Sequence, residues 1–178
     1  MMNRPMCVAG WMLAAMALLS PFCAEAGEPC EAWMASLVDY DAAFERVMRG
    51  EPEDLLRLIR EARDPGAKAQ AGKKAGEKLA GLRGITPPPE LASLHGRLIA
   101  YAQAVADAVA AASPADTSVD KPAPRPCYES LLGYYREMRS LLRKHGCRGG
   151  DVDALDQRII PKLEEYLSQG AAAVEVAP

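Results

Sequence analysis

The sequence predicts an all-α protein, an antiparallel helical bundle of about four to five helices with a Pro-rich connection before the fourth main helix. Three observations lead there. Apolar side chains recur at helical spacing in separate stretches, helix-start and helix-stop residues fall between those stretches, and no sustained alternation or hairpin signal marks a strand.

Residues 1–26 read as a secretory signal. Arg4 supplies the positive start, Met6 to Leu19 is an uncharged apolar run, and Ala24-Glu25-Ala26 is a small-x-small cleavage pattern, placing the cut before Gly27. The run is shorter than the roughly 20 residues a bilayer span takes. Cys23 as a lipid acceptor is the alternative, but bulky Phe22 and rigid Pro21 precede it. Removing the segment takes away one acid and one base, so the net charge stays at −3. That balance lacks the basic excess of a nucleic-acid-binding domain. Residues 27–169 are expected to form a single helical domain around one core, with 170–178 a flexible tail of small residues.

Trp33, Leu37, Tyr40, Phe44 and Val47 step by 4, 3, 4 and 3, which predicts one amphipathic helix over Glu31 to Met48, stopped by Gly50. Pro52 and the acids around it open a second helix with Leu55, Leu58, Ile59 and Ala62 inward. Asp64-Pro65-Gly66 breaks that helix. The stretch up to Gly84 is rich in Ala, Lys and Gly, and Gly72, Gly76 and Gly81 each cost about 1 kcal/mol against Ala, so it is expected to be the least stable part.

Thr86 to Glu90 is a strong start signal, and Leu91, Leu94, Leu98, Tyr101, Val105, Ala108 and Ala112 then alternate steps of 3 and 4. They predict a long helix with a narrow seam. Residues 113–126 hold four prolines and little to bury, so they are expected to be a surface loop. Helix resumes at Tyr128 with Leu131, Tyr135, Met138 and Leu142 inward, and Gly146 ends it behind Arg143, Lys144 and His145. Asp151 or Asp153 caps a final helix, which Pro161 should kink or split.

Beyond the signal the chain keeps Cys30, Cys127 and Cys147. Export favours a disulfide, and the odd count leaves one thiol for an intermolecular bridge, hence a possible disulfide-linked dimer. Cys127 and Cys147 flank a helix of roughly 18 residues, about 27 Å long, whereas bonded Cα atoms lie within about 7 Å. Cys30 is therefore one partner. If Leu55 to Leu82 is one bent return arm, Cys30 meets Cys147; if Pro65-Gly66 makes a full reversal that flips the later helices, it meets Cys127. The first pairing is preferred.

His95, His145 and Cys147 converge on one end of such a bundle and form the candidate metal site, for zinc or copper. The plainer account makes His145 a last-turn residue favourable to the helix dipole and His95 a rim residue. A haem held by histidine with Met34, Met48 or Met138 is less well founded, and no cofactor is assigned. The tyrosines read as rim residues with wet hydroxyls, and Lys68, Lys73, Lys74 and Lys78 as a solvated face.

Glu164 and Glu165 are adjacent and point apart, and two isolated histidines with scattered glycines assemble no catalytic set, so no catalytic residue is assigned. The expectation that remains is a periplasmic or secreted, non-enzymatic binding or accessory module of the bacterial envelope. Its partner is an envelope protein or small ligand, with no nucleic acid and no transmembrane segment in the mature chain. A metal- or haem-binding bundle is the alternative.

Overall fold

A computed structural model describes residues 28–50, 52–113 and 123–174. The expected signal segment and most of the Pro-rich connection lie outside them. Helices account for the described elements: α1 Glu28–Ser36, α2 Val38–Met48, α3 Asp54–Glu61, α4 Pro65–Arg83, α5 Ala92–Ala111, α6 Arg125–Lys144, α7 Gly150–Ala154 and α8 Ile160–Val174. No strand occurs among the described residues. The fold is all-α.

The first amphipathic stretch is two helices rather than one, because the chain bends at Leu37, a buried residue at the junction. At the far end of α2 the left-handed position is taken by Arg49, φ 47° and ψ 38°, one residue before the expected Gly50. Lys78 reaches from α4 to the Val47 and Met48 carbonyls, supplying donors that a helix end lacks. Burial holds the Lys78 ammonium below its usual pKa, with Asp54 opposing that shift. Lys68 caps in the same way at Ala112, the residue that follows α5. Half of the expected solvated lysine face thus closes helix ends.

Pro65 begins α4 instead of merely ending α3. The Asp64 carboxylate accepts from the Gly66 N–H at 2.9 Å, and proline at the start of a helix forfeits no needed donor. The weak-looking Lys/Ala/Gly stretch is a full 19-residue helix, with Ala71, Ala75, Leu79 and Leu82 buried on one side. Small residues let the neighbouring helices come close, so packing supplies what propensity does not.

The directions follow from side-chain contacts. Val47 and Met48 meet Lys78 while Tyr40 and Ile85 line one cleft, and Glu61 pairs with Lys74 while Asp54 acts on Lys78, so α2 and α3 both run antiparallel to α4. Leu82 meets His95 and Lys68 meets Ala112, which sets α4 antiparallel to α5. Arg97 with Glu137 and Cys127 with Ala104 do the same for α5 and α6, as do Arg136 with Glu164 and Tyr128 with Tyr166 for α6 and α8.

The buried seam of α5 is Leu94, Leu98, Tyr101, Ala102, Val105 and Val109. It leaves the expected Ala108 and Ala112 partly buried, as the drift of a 3.6-residue turn against a 3.5-residue repeat requires. The next helix starts earlier than expected, at Arg125, with Pro126 in its first turn. Before Pro161 the chain widens into a π turn, Leu155–Ile159, which accommodates the proline's missing N–H without splitting the helix. The last helix continues to Val174, into the expected tail. No helix of the described residues is long and apolar enough to cross a membrane.

Candidate functional site

One end of the molecule gathers most of the chemistry-bearing residues. Cys30 at the start of α1 is bonded to Cys147 beyond α6, with Cα atoms 4.9 Å apart. Both half-cystines are buried. Cys127, the leftover thiol, lies at the opposite end and is only 1 % exposed, so an intermolecular bridge through it is sterically barred while α6 stays packed. Burial pushes its pKa up to about 11, the opposite of an activated thiolate.

His95 is a core residue, not the rim residue expected. Its Nε2 lies 3.0 Å from the Leu82 carbonyl and its Nδ1 lies 2.9 Å from the Tyr40 hydroxyl. A carbonyl only accepts, so Nε2 carries the proton and donates; Nδ1 then accepts from Tyr40. Burial holds the His95 pKa below its ordinary value and raises that of Tyr40, as does the neighbouring Asp41 carboxylate. This neutral imidazole joins α2, α4 and α5 through hydrogen bonds that are all satisfied.

His145 follows α6 and stacks on Trp33, ring centroids 4.3 Å apart and planes 6° from parallel. Glu90 touches both: Trp33 Nε1 donates to Oε1 at 3.0 Å, and His145 Nε2 lies 3.6 Å from Oε2, beyond hydrogen-bond reach. The cluster sits beside the disulfide and fastens α1 to the body.

The expected trio is not assembled as a ligand set. The sulfur of Cys147 is consumed in the disulfide, and both nitrogens of His95 are engaged. Among the described residues no group of three or more His, Cys, Asp or Glu is placed to hold a metal ion. Met48 is buried core filler at 1 % exposure. The tyrosines also depart from expectation: Tyr40, Tyr101, Tyr134 and Tyr135 are buried, and Tyr101 donates to the Pro52 carbonyl at 2.8 Å.

Beside His95 lies a cleft of about 640 Å³ that the sequence reading did not single out. One wall is α2, carrying Asp39, Ala43 and Arg46; the other is the segment from Ile85 to Pro88. Its floor includes Gly81, where a Cβ would lie 2.8 Å from Val47 Cγ1. That glycine lets α2 and α4 approach closely beside the cleft. Asp39 and Arg46, like Glu45 on the same helix, make no ion pair or side-chain hydrogen bond among the described residues. The i, i+4, i+7 spacing of Asp39, Ala43 and Arg46 was legible, but the opposing wall, contributed from about 45 residues away, was not.

Comparison of the chain with protein-family models, with curated proteins and with solved structures finds no match.

Proposed function

We propose that the chain acts as an exported, non-enzymatic helical module that binds a component of the bacterial envelope, using the cleft between α2 and residues 85–88 as its binding surface. The observation that carries this reading is the cleft itself: its volume of about 640 Å³ falls in the range of ligand sites, and it mixes apolar lining with a few polar groups. The Cys30–Cys147 disulfide supports the exported part, since such bonds persist in oxidising compartments. The signal-like residues 1–26 support it too, with cleavage before Gly27 in the periplasmic or secreted form.

The test places a photo-crosslinking amino acid at Thr86, on the cleft wall, or at Lys162, on α8, in the protein expressed in a bacterial host that exports it. A specific adduct in the envelope fraction from position 86 and not from 162 supports the reading. No adduct from 86, or the same adducts from both, overturns it. N-terminal sequencing of the same material tests the export step, which fails if Met1 is retained.

A further inference from the structure

We infer that the cleft takes a short extended peptide with free termini, its ammonium group held by Asp39 and its carboxylate by Arg46; this rests on the cleft being the binding surface. Asp39 and Arg46 sit two turns apart on α2, so their anchor points are about 10.5 Å apart at 1.5 Å per residue. Three residues of extended chain span about 10–11 Å. Opposite charges on anchors at that spacing can meet the two ends of a tripeptide, with the long, flexible Arg46 side chain taking up the difference in reach.

The space between the charges suits a peptide body. Ala43 lies between them on the same wall and leaves room for a small side chain, and Tyr40, Val47 and Ile85 give apolar lining. The opposing wall is extended, with Pro88 at φ −55° and ψ 149°. Pro87 and Pro88 have no N–H, so the main chain there can offer a ligand only carbonyl oxygens, which suits the N–H donors of a peptide. A ligand bound there would give both charges a partner.

The experiment titrates isotope-labelled protein with trialanine, N-acetyl-trialanine, trialanine amide and alanine, following amide resonances of residues 38–48 and 81–88. Trialanine should shift these resonances saturably. Blocking either end should weaken binding about three- to tenfold, as should Asp39→Asn or Arg46→Gln, and alanine should bind more weakly than trialanine. In Asp39→Asn, acetylation should cause no further loss; in Arg46→Gln, amidation should cause none. Both side chains are exposed, so the variants should fold, and unchanged helicity by circular dichroism checks that they do.

Equal binding of trialanine, N-acetyl-trialanine and trialanine amide overturns the inference while leaving the cleft as a binding surface. Absence of any shift at millimolar trialanine also overturns it, and the crosslinking result then decides separately whether the cleft binds something else.

Discussion

Tyr40 donates its hydroxyl proton to Nδ1 of His95 across 2.9 Å, and the opposite nitrogen of the ring donates to the Leu82 carbonyl. The pair fixes the neutral ring in one tautomer. Because burial lowers the folded-state pKa of His95, the unfolded chain binds the proton more readily than the folded one. The stability this residue contributes is complete above its unfolded pKa of 6.5 and is lost as pH falls below that value. The loss is about 1.4 kcal/mol per pH unit until the lower folded pKa is reached.

Urea midpoints measured from pH 8 down to pH 5 should therefore fall more steeply for the native chain than for His95→Gln. The variant should be less stable at neutral pH, since it breaks two buried hydrogen bonds, each worth about 0.5–1.5 kcal/mol. His145 is common to both proteins and cancels in the comparison. Parallel curves would show that His95 does not remain neutral in the folded state.

The faces of the helices were legible because helical spacing is local: Leu55, Leu58 and Ile59 are buried as their pattern requires. The Cys30–Cys147 pairing was legible too, though by a route that needed two compensating changes. The chain was expected to reverse near Gly50 and continue through Pro65 as one return arm. Instead α3 continues the direction of α2, and the reversal comes at Pro65, leaving Cys30 and Cys147 at the same end. The burial of His95 is not legible in the sequence, because it depends on Tyr40, which lies 55 residues away, and no local pattern carries that information. The cleft stayed invisible for a similar reason, since its second wall is an extended segment without periodicity.

Cys127 should be inert in the folded protein. Its sulfur lies 3.5 Å from the Ala104 carbonyl and is shielded from solvent, and its raised pKa leaves little thiolate at pH 8. Iodoacetamide at pH 8 should leave it unmodified for as long as the fold persists and label it promptly in denaturant. Fast labelling of the native protein, or a reducible dimer on a gel, would contradict the packed position of α6.

Reduction should weaken the fold substantially. The Cys30–Cys147 bond spans a sequence separation of 117 residues. In the chain-entropy model, closing a loop of about that size contributes roughly 4.7 kcal/mol by restricting the unfolded state. The double variant Cys30→Ala with Cys147→Ala should lose about 4–5 kcal/mol in denaturant titrations, and dithiothreitol should leave its midpoint unmoved while lowering that of the native chain. A loss under about 1 kcal/mol would mean that Trp33, His145 and Glu90 keep the ends of the loop together even in the unfolded chain.

The glycines of α4 should respond in opposite directions to the same substitution. At Gly72 and Gly76 an added Cβ meets nothing within 4 Å, so alanine brings only its better helix propensity, about 1 kcal/mol at each position. At Gly81 the Cβ would lie 2.8 Å from Val47 Cγ1 and 3.0 Å from Cγ2, so the Val47 side chain, stiff at χ1, or α2 with it has to shift. Overpacking of that kind costs about 1–3 kcal/mol, which outweighs the propensity gain or at best cancels it. Gly72→Ala and Gly76→Ala should therefore raise the melting temperature, and Gly81→Ala should lower it or leave it unchanged. Adding Val47→Ala to Gly81→Ala removes both clashing methyls, so the double variant should be less destabilised than the sum of the two single changes. Additive losses would show that Gly81 does not set the distance between α2 and α4, and with it the floor of the cleft.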